Sequence, residues 1–425
     1  MNWEVRTMQS KILSFNPTLF RKNLTRFWPL WGLASFIGAL FPLALMLGML
    51  RGAGPESAAE FSTLYYGVAS YALPVLSLFY AILCAMAVWS YLYSARSVGL
   101  MHTLPIRREG LFLTNFLSGM AMMLIPYAVT GLLAVGVSLI YGYFDPTTVA
   151  VTILAVLGES FFYFASATFV AFVTGNIFAL PALYFLLHFL AAILDWLVSL
   201  FAQGFIFGFN GNYTGAAEWL SPTLCLLHNV NAEDTYTEIQ RMAPGGGTYM
   251  DHVLTDVSLS GFWIIGVYVL VGIALLAVAL GLYRRRRSEN AGDVVAVGAL
   301  RPVFRYGVAA LAALLGGQLL YELFWYQFQA GSYYDTVPMT ICLLVAGVIG
   351  YYAASMLLAK SLRVFQGSWK GLLVVAAGCV LVCCALHFDV LGIAARVPES
   401  GAVRSVTVDV AGNTYTLYPG EDDAL

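Results

Sequence analysis

Three carboxylates fall inside long apolar runs of this sequence: Glu159, Asp195 and Glu322. Glu159 stands nearest the middle of its run. A charge at the centre of a bilayer costs at least ~2.5–3.5 kcal/mol on insertion scales, so such a residue is expected to face other helices or a wet cavity. Two chemistries fit it: a substrate-path or proton-coupling group on a possible translocation path, or an interhelical hydrogen bond. Ser160, Tyr163 and Ser166 supply hydroxyls nearby for the second. Glu322, among Tyr321, Trp325 and Tyr326, reads as part of an aromatic belt. Asp195 and His188, seven residues apart on a similar helix face, are assigned to packing.

The other constellation is cationic. The stretch "SVGLMHTLPIRREGLFLTN", residues 97–115, sits between two apolar runs and holds the pair Arg107 and Arg108. Val98, Met101 and Leu104, with Leu100 beside them, recur at helical spacing and predict a short helix with an apolar face. Pro105 pushes Leu104 out of the helical region and can itself open the next helix. Ile106, Arg107, Arg108 and Glu109 follow at the turn. A short interfacial helix, a sharp bend and an exposed cationic pair make a rigid knob. A topology anchor accounts for the arginines, but not for the apolar stripe together with the proline.

Chemistry of other kinds is missing from the sequence. There is no GxxxxGK[ST] to cradle a phosphate, no HExxH and no GxSG. The six cysteines form no CxxC and no metal-ligand spacing, and all except Cys225 lie in apolar runs. His228 and His252 stand among carboxylates at a spacing that matches no metal motif. No catalytic, cofactor-binding or metal-ligating residue is therefore expected, and no nucleic-acid partner. The remaining tasks are moving something or sensing something.

The elements that must position these residues follow from composition. The chain has 425 residues, 60% hydrophobic and 10% charged, where a soluble domain carries about 25% charged residues. Nine apolar runs read as transmembrane helices at 28–50, 65–93, 111–140, 147–173, 177–202, 259–283, 306–328, 337–359 and 368–388. A single helix over 147–202 would be about 84 Å long against a ~30 Å hydrocarbon core, so "TGN" at 174–176 must be a tight hairpin. The expected fold is an all-α polytopic membrane protein. With the N-terminus in the cytoplasm, 17 of 21 basic residues lie inside and 16 of 23 acidic residues outside. That places the C-terminus outside. The first span reads as an uncleaved anchor, since Arg6, Lys11, Arg21, Lys22 and Arg26 precede it without a cleavage pattern.

Between the spans, residues 1–27 read as a cytoplasmic segment whose "SFNPTLFRKNLTRF" is an amphipathic interface helix. Residues 203–258 form one large outer loop, acidic and flexible at "PGGG", whose apolar start is able to re-enter the interface. Residues 284–305 form a basic linker that begins with "RRRR", a stop-transfer and anionic-lipid anchor. Three additional spans fill 306–388, and the tail 389–425 carries a β-hairpin pattern around Val406, Val408, Val410, Tyr415 and Leu417.

"MHTLPIRREGLFLTNFLSG" resembles the loop between the second and third spans of ABC transporter permeases of the type 2 exporter class. The helix at 14–27 is similar to that class's connecting helix, and the large loop after the fifth span to its layout. The resemblance covers about residues 14–283, a six-span core. The three further spans depart from the minimal pattern and look like the larger permeases of some Gram-positive bacteria. The resemblance implies a membrane subunit in a bacterial plasma membrane, with a second permease chain and a separate cytoplasmic ATPase carrying ATP and Mg. It also implies that 97–110 is a coupling helix. Met101, Leu104, Pro105 and Ile106 would then fill a groove of the ATPase, and Arg107 and Arg108 would meet its carboxylates. Two other readings stay open: an ion-coupled secondary transporter using Glu159, and a membrane sensor that moves nothing.

Overall fold

A computed structural model describes residues 15–55, 57–103, 106–206, 216–242, 248–286, 291–328, 333–365, 367–390, 392, 405–410 and 413–417. Among the described residues nine helical segments are long and apolar enough to cross a membrane. The protein is an all-α polytopic membrane fold, with two small two-stranded sheets.

The chain divides into two compact units. The first comprises Met1–Leu194, Thr214–Phe304 and Leu357–Lys360. It opens with α1 (Pro17–Arg26), where the Asn16 side chain accepts from Leu19 N–H and Pro17 occupies the first turn. The expected amphipathic helix is present, but its polar face is not left wholly to solvent. Asn23 is buried, and its Nδ2 donates to Asn115 Oδ1 (2.8 Å) and Ser118 Oγ (3.2 Å). Leu19 and Leu24 pack on the unit's own core.

The first span is α2 (Trp28–Leu50). The second runs from Ala58 to Tyr93 in several pieces: α3 (Ala58–Gly67), a π-helical turn at Val68–Ala72, α4 (Leu73–Trp89), and a 3₁₀ turn at Ser90–Tyr93. Pro74 has no N–H to give Ser70 O four residues back, and the widened turn absorbs that lost bond. The span begins seven residues earlier than its hydropathy suggests, because Ser57 caps it by accepting from Glu60 N–H. Next come α5 (Ala95–His102), α6 (Arg108–Tyr141), α7 (Pro146–Val173) and α8 (Ala179–Gln203). The predicted break at 174–176 separates the last two.

The acidic loop is where the fold differs most from the expected flexible segment. After the short helices α9 (Ala216–Trp219) and α10 (Pro222–Asn229), the chain forms a long antiparallel hairpin of β1 (Asn231–Met242) and β2 (Thr248–Ser260). Its register pairs Asn231 with Ser260 and Met242 with Thr248, with an irregularity between Thr235 and Tyr236. "TYTEI" and "TYMDHVLTDVSL" are rich in β-branched and aromatic residues, which is why they pair. The apolar stretch from 207 and the "PGGG" tip lie outside the described residues. Gly261, at φ +69°, turns the chain from β2 into α11 (Phe262–Arg285), which lies along α7. Glycines 158 and 272 allow that close approach: a Cβ on Gly158 would lie 2.6 Å from Ile265 Cγ2.

The second unit comprises Asp195–Tyr213, Arg305–Met356 and Ser361–Leu425. Here α12 (Leu300–Phe324), α13 (Thr336–Ala359) and α14 (Trp369–His387) surround the last turns of α8. Phe201 packs with Tyr321, Met339, Leu343 and Cys383, and Gly317 brings α12 against the Leu343 backbone. The tail forms β3 (Val406–Val410) and β4 (Asn413–Leu417), paired antiparallel.

Candidate functional site

Two places in the first unit bring together the residues singled out from the sequence. The first is the bend between the second and third spans. α5 forms as expected, and Arg107 is the extended residue that precedes α6. Leu104 and Pro105 lie outside the described residues. Val98 is buried, and Met101 and Ile106 pack against the unit's own core, which includes Leu92, Leu111 and Phe112. The apolar stripe thus packs on the bend's own bundle, where Met101 and Ile106 are half-buried. The side chains turned outward include Leu100, 71% exposed, with Arg96, Thr103, Arg107 and Arg108.

The two arginines also part company. Both are exposed, but only Arg108 reaches back to the bundle: its Nη1 donates to Arg284 O (3.0 Å) and Arg286 O (3.5 Å) at the end of α11. Beside it Glu109 pairs with Arg284 at 3.0 Å. The "RRRR" stretch is therefore more than a lipid anchor. The Arg286 guanidinium donates to Leu92 O (3.3 Å), Ala171 O (3.2 Å) and Phe172 O (3.3 Å). These carbonyls end the second and fourth spans and have no helical partners of their own. Burial pulls the Arg286 pKa below the usual guanidinium value, and the group keeps its proton all the same. Arg287 lies outside the described residues.

A further set of bonds fixes the neighbouring turn. Gly175 N–H donates to Asp293 O (2.8 Å), Gly292 N–H to Gly175 O (2.7 Å), and Thr174 Oγ1 to Val294 O (2.8 Å). The Asp293 carboxylate is held by Arg301 (3.0 Å) and Lys360 (2.6 Å). The bend at 95–109 is thereby tied through backbone carbonyls to α7 and α11. The positive-inside pattern points to all of these arginines without separating the exposed Arg107 from the engaged Arg108, Arg284 and Arg286.

A comparison of the chain with protein-family models, with curated proteins and with solved structures finds no match.

The second place is Glu159, on the buried face of α7 and 1% exposed. Two of the three hydroxyls expected to satisfy it are engaged elsewhere. Tyr163 Oη donates to Thr223 Oγ1 (3.3 Å), and Ser166 Oγ donates to Tyr163 O (2.8 Å) and lies 3.1 Å from His188 Nε2. Ser160 Oγ and both Glu159 oxygens have no hydrogen-bond partner among the described residues. His188 is a packing residue, buried between Ser166 and Thr223 and ringed by Phe162, Tyr163 and Tyr184. Glu322 is exposed. His228 meets Glu218 at 3.0 Å and His252 meets Glu238 at 4.0 Å. No group of three or more ligating side chains able to hold a metal ion occurs among the described residues.

Proposed function

We propose that this chain is the membrane-spanning permease subunit of an ATP-driven ABC transporter, an exporter of the type 2 class, in a bacterial plasma membrane. In this reading ATP and Mg are bound and ATP is hydrolysed on a separate cytoplasmic chain, and a second permease chain completes the assembly. The resemblance carried by "LPIRREG" is one support. The observation that carries the reading furthest is mechanical. An exposed helical turn bearing Arg96 and Leu100, with the extended Arg107 after it, sits on a base braced against the ends of three spans. Force applied to a loop without such bracing would deform the loop. Applied here, it moves α7 and α11, and α7 carries Glu159.

The docking surface in this proposal is Arg96, Leu100 and Arg107, and Arg108, also exposed, ties it to the end of α11. The test is co-purification with the ATPase encoded beside this gene. The wild-type chain is expected to retain the ATPase, and the double variant Leu100→Asp/Arg107→Glu to lose it while eluting as a folded protein. Retention by the double variant would remove the docking role, and absence of any ATPase from the wild type would remove the ABC assignment. Glu159, a lone carboxyl in the bundle, favours an ion-coupled transporter as the second reading. Ion-dependent transport without an ATPase, abolished by Glu159→Gln, would establish it.

A further inference from the structure

A cavity of about 340 Å³ lies among α3, α6 and α7 in the first unit. Leu124, Tyr127, Gly131 and Val135 line it from α6, Thr152 and Val156 from α7, and Tyr65 from α3. Its walls are almost wholly apolar and include no basic side chain. Glu159 continues the lining face of α7, since it lies three residues beyond Val156 and seven beyond Thr152. Ser160 lies four beyond Val156. Tyr127 lines the cavity, and its phenol is hydrogen-bonded to Ser77 (2.8 Å). One helical turn beyond the α7 lining residues there is thus a buried carboxyl with two unused oxygens and an unused serine hydroxyl beside it.

We propose that this cavity and Glu159 bind a lipophilic cation, an apolar body carrying one positive charge. The apolar walls take the body, in place of lipid tails that offer it no directional contact. The faces of Tyr65 and Tyr127 attract the charge through their π-electrons. The Glu159 carboxylate supplies the counter-charge in a medium where a lone ion is costly, so carboxylate and cation each remove the other's penalty. An anion of the same shape meets only repulsion at Glu159, and a neutral molecule gains only the apolar walls. The proposal makes this ligand the cargo of the transporter proposed above, but binding itself requires no ATPase.

The test is equilibrium binding of tetraphenylphosphonium to the purified chain in phosphatidylcholine nanodiscs, with tetraphenylborate as the anion of matched shape. The wild type is expected to bind the cation saturably without competition from the anion, and Glu159→Gln to weaken it by about ten-fold or more, as loss of a desolvated charge pair requires. Glu159→Asp retains the charge and is expected to keep part of the affinity. Gly131→Leu fills the cavity from a position whose Cβ meets no atom within 4 Å. It is expected to weaken binding with Glu159 intact, which guards against a misfolded Gln variant. Equal binding by wild type and Glu159→Gln, or equal competition by the anion, would overturn the proposal. Either result leaves the ATPase co-purification test untouched.

Discussion

Replacing Arg286 separates a structural brace from a topology anchor, because lysine preserves the charge and loses the geometry. The guanidinium reaches Leu92 O, Ala171 O and Phe172 O at 3.2–3.3 Å. A hydrogen bond from a charged donor contributes about 1.5–3 kcal/mol, and these exceed the ~2.7–2.9 Å of the best charge-assisted pairs. Each therefore belongs at about 1 kcal/mol, and Arg286→Gln is expected to lose about 2–3 kcal/mol in all. Lysine, a point donor without the planar fork, recovers about half of that. At ~2–4 °C per kcal/mol, the midpoint falls by about 4–12 °C for glutamine and about 2–6 °C for lysine. Cys84 and Cys225, both buried in the same unit, report the transition through thiol labelling on a thermal ramp in detergent. A topology anchor predicts that lysine equals arginine. A lysine variant within about 1 °C of wild type would refute the brace, since no charge-only role distinguishes the two.

Two other predictions concern local geometry. Gly261→Ala places a Cβ against Asn229 O at a positive φ, so a loss of about 2 kcal/mol or more is expected, with faster thiol labelling of Cys225 in the adjacent α10. Asp145 caps α7 by accepting from Thr148 Oγ1 (2.6 Å), Thr148 N–H (2.8 Å) and Thr147 N–H (3.2 Å), and these bonds hold its carboxyl below the usual pKa. Its contribution is complete above the ordinary aspartate pKa and is lost as the pH falls through the lowered folded value. Asp145→Ala should therefore cost about 1 kcal/mol near pH 7. Below about pH 4 its midpoint should converge on that of wild type, as seen in thermal ramps across acid pH.

Hydropathy located every span because burial in hydrocarbon demands about twenty apolar residues whatever their packing. Its errors fell at the ends, where polar chemistry decides. The Ser57 cap starts the second span early, and α12 begins at Leu300 because Arg301 turns back to Asp293. The hairpin at 231–260 had its signal in the residues beside "PGGG", but an acidic loop composition hides a period-two pattern along 233–240, where the side chains of both faces are exposed. At the bend, spacing gave a helix with an apolar stripe but not its direction. Val98 and Met101 read the same whether they face a partner or their own core. At Glu159 the hydroxyls were visible in the sequence, and only the three-dimensional arrangement shows that Tyr163 and Ser166 are committed to Thr223 and His188.

The Arg286 brace also sets an order on biogenesis. The carbonyl of Leu92 waits 194 residues for the side chain that completes it, which at ~5–20 residues per second is about 10–40 s of synthesis. Through that interval the last carbonyls of the second and fourth spans wait for their partner. A ribosome that stalls before the sixth span emerges leaves a chain whose second and fourth spans lack the side chain that completes their ends.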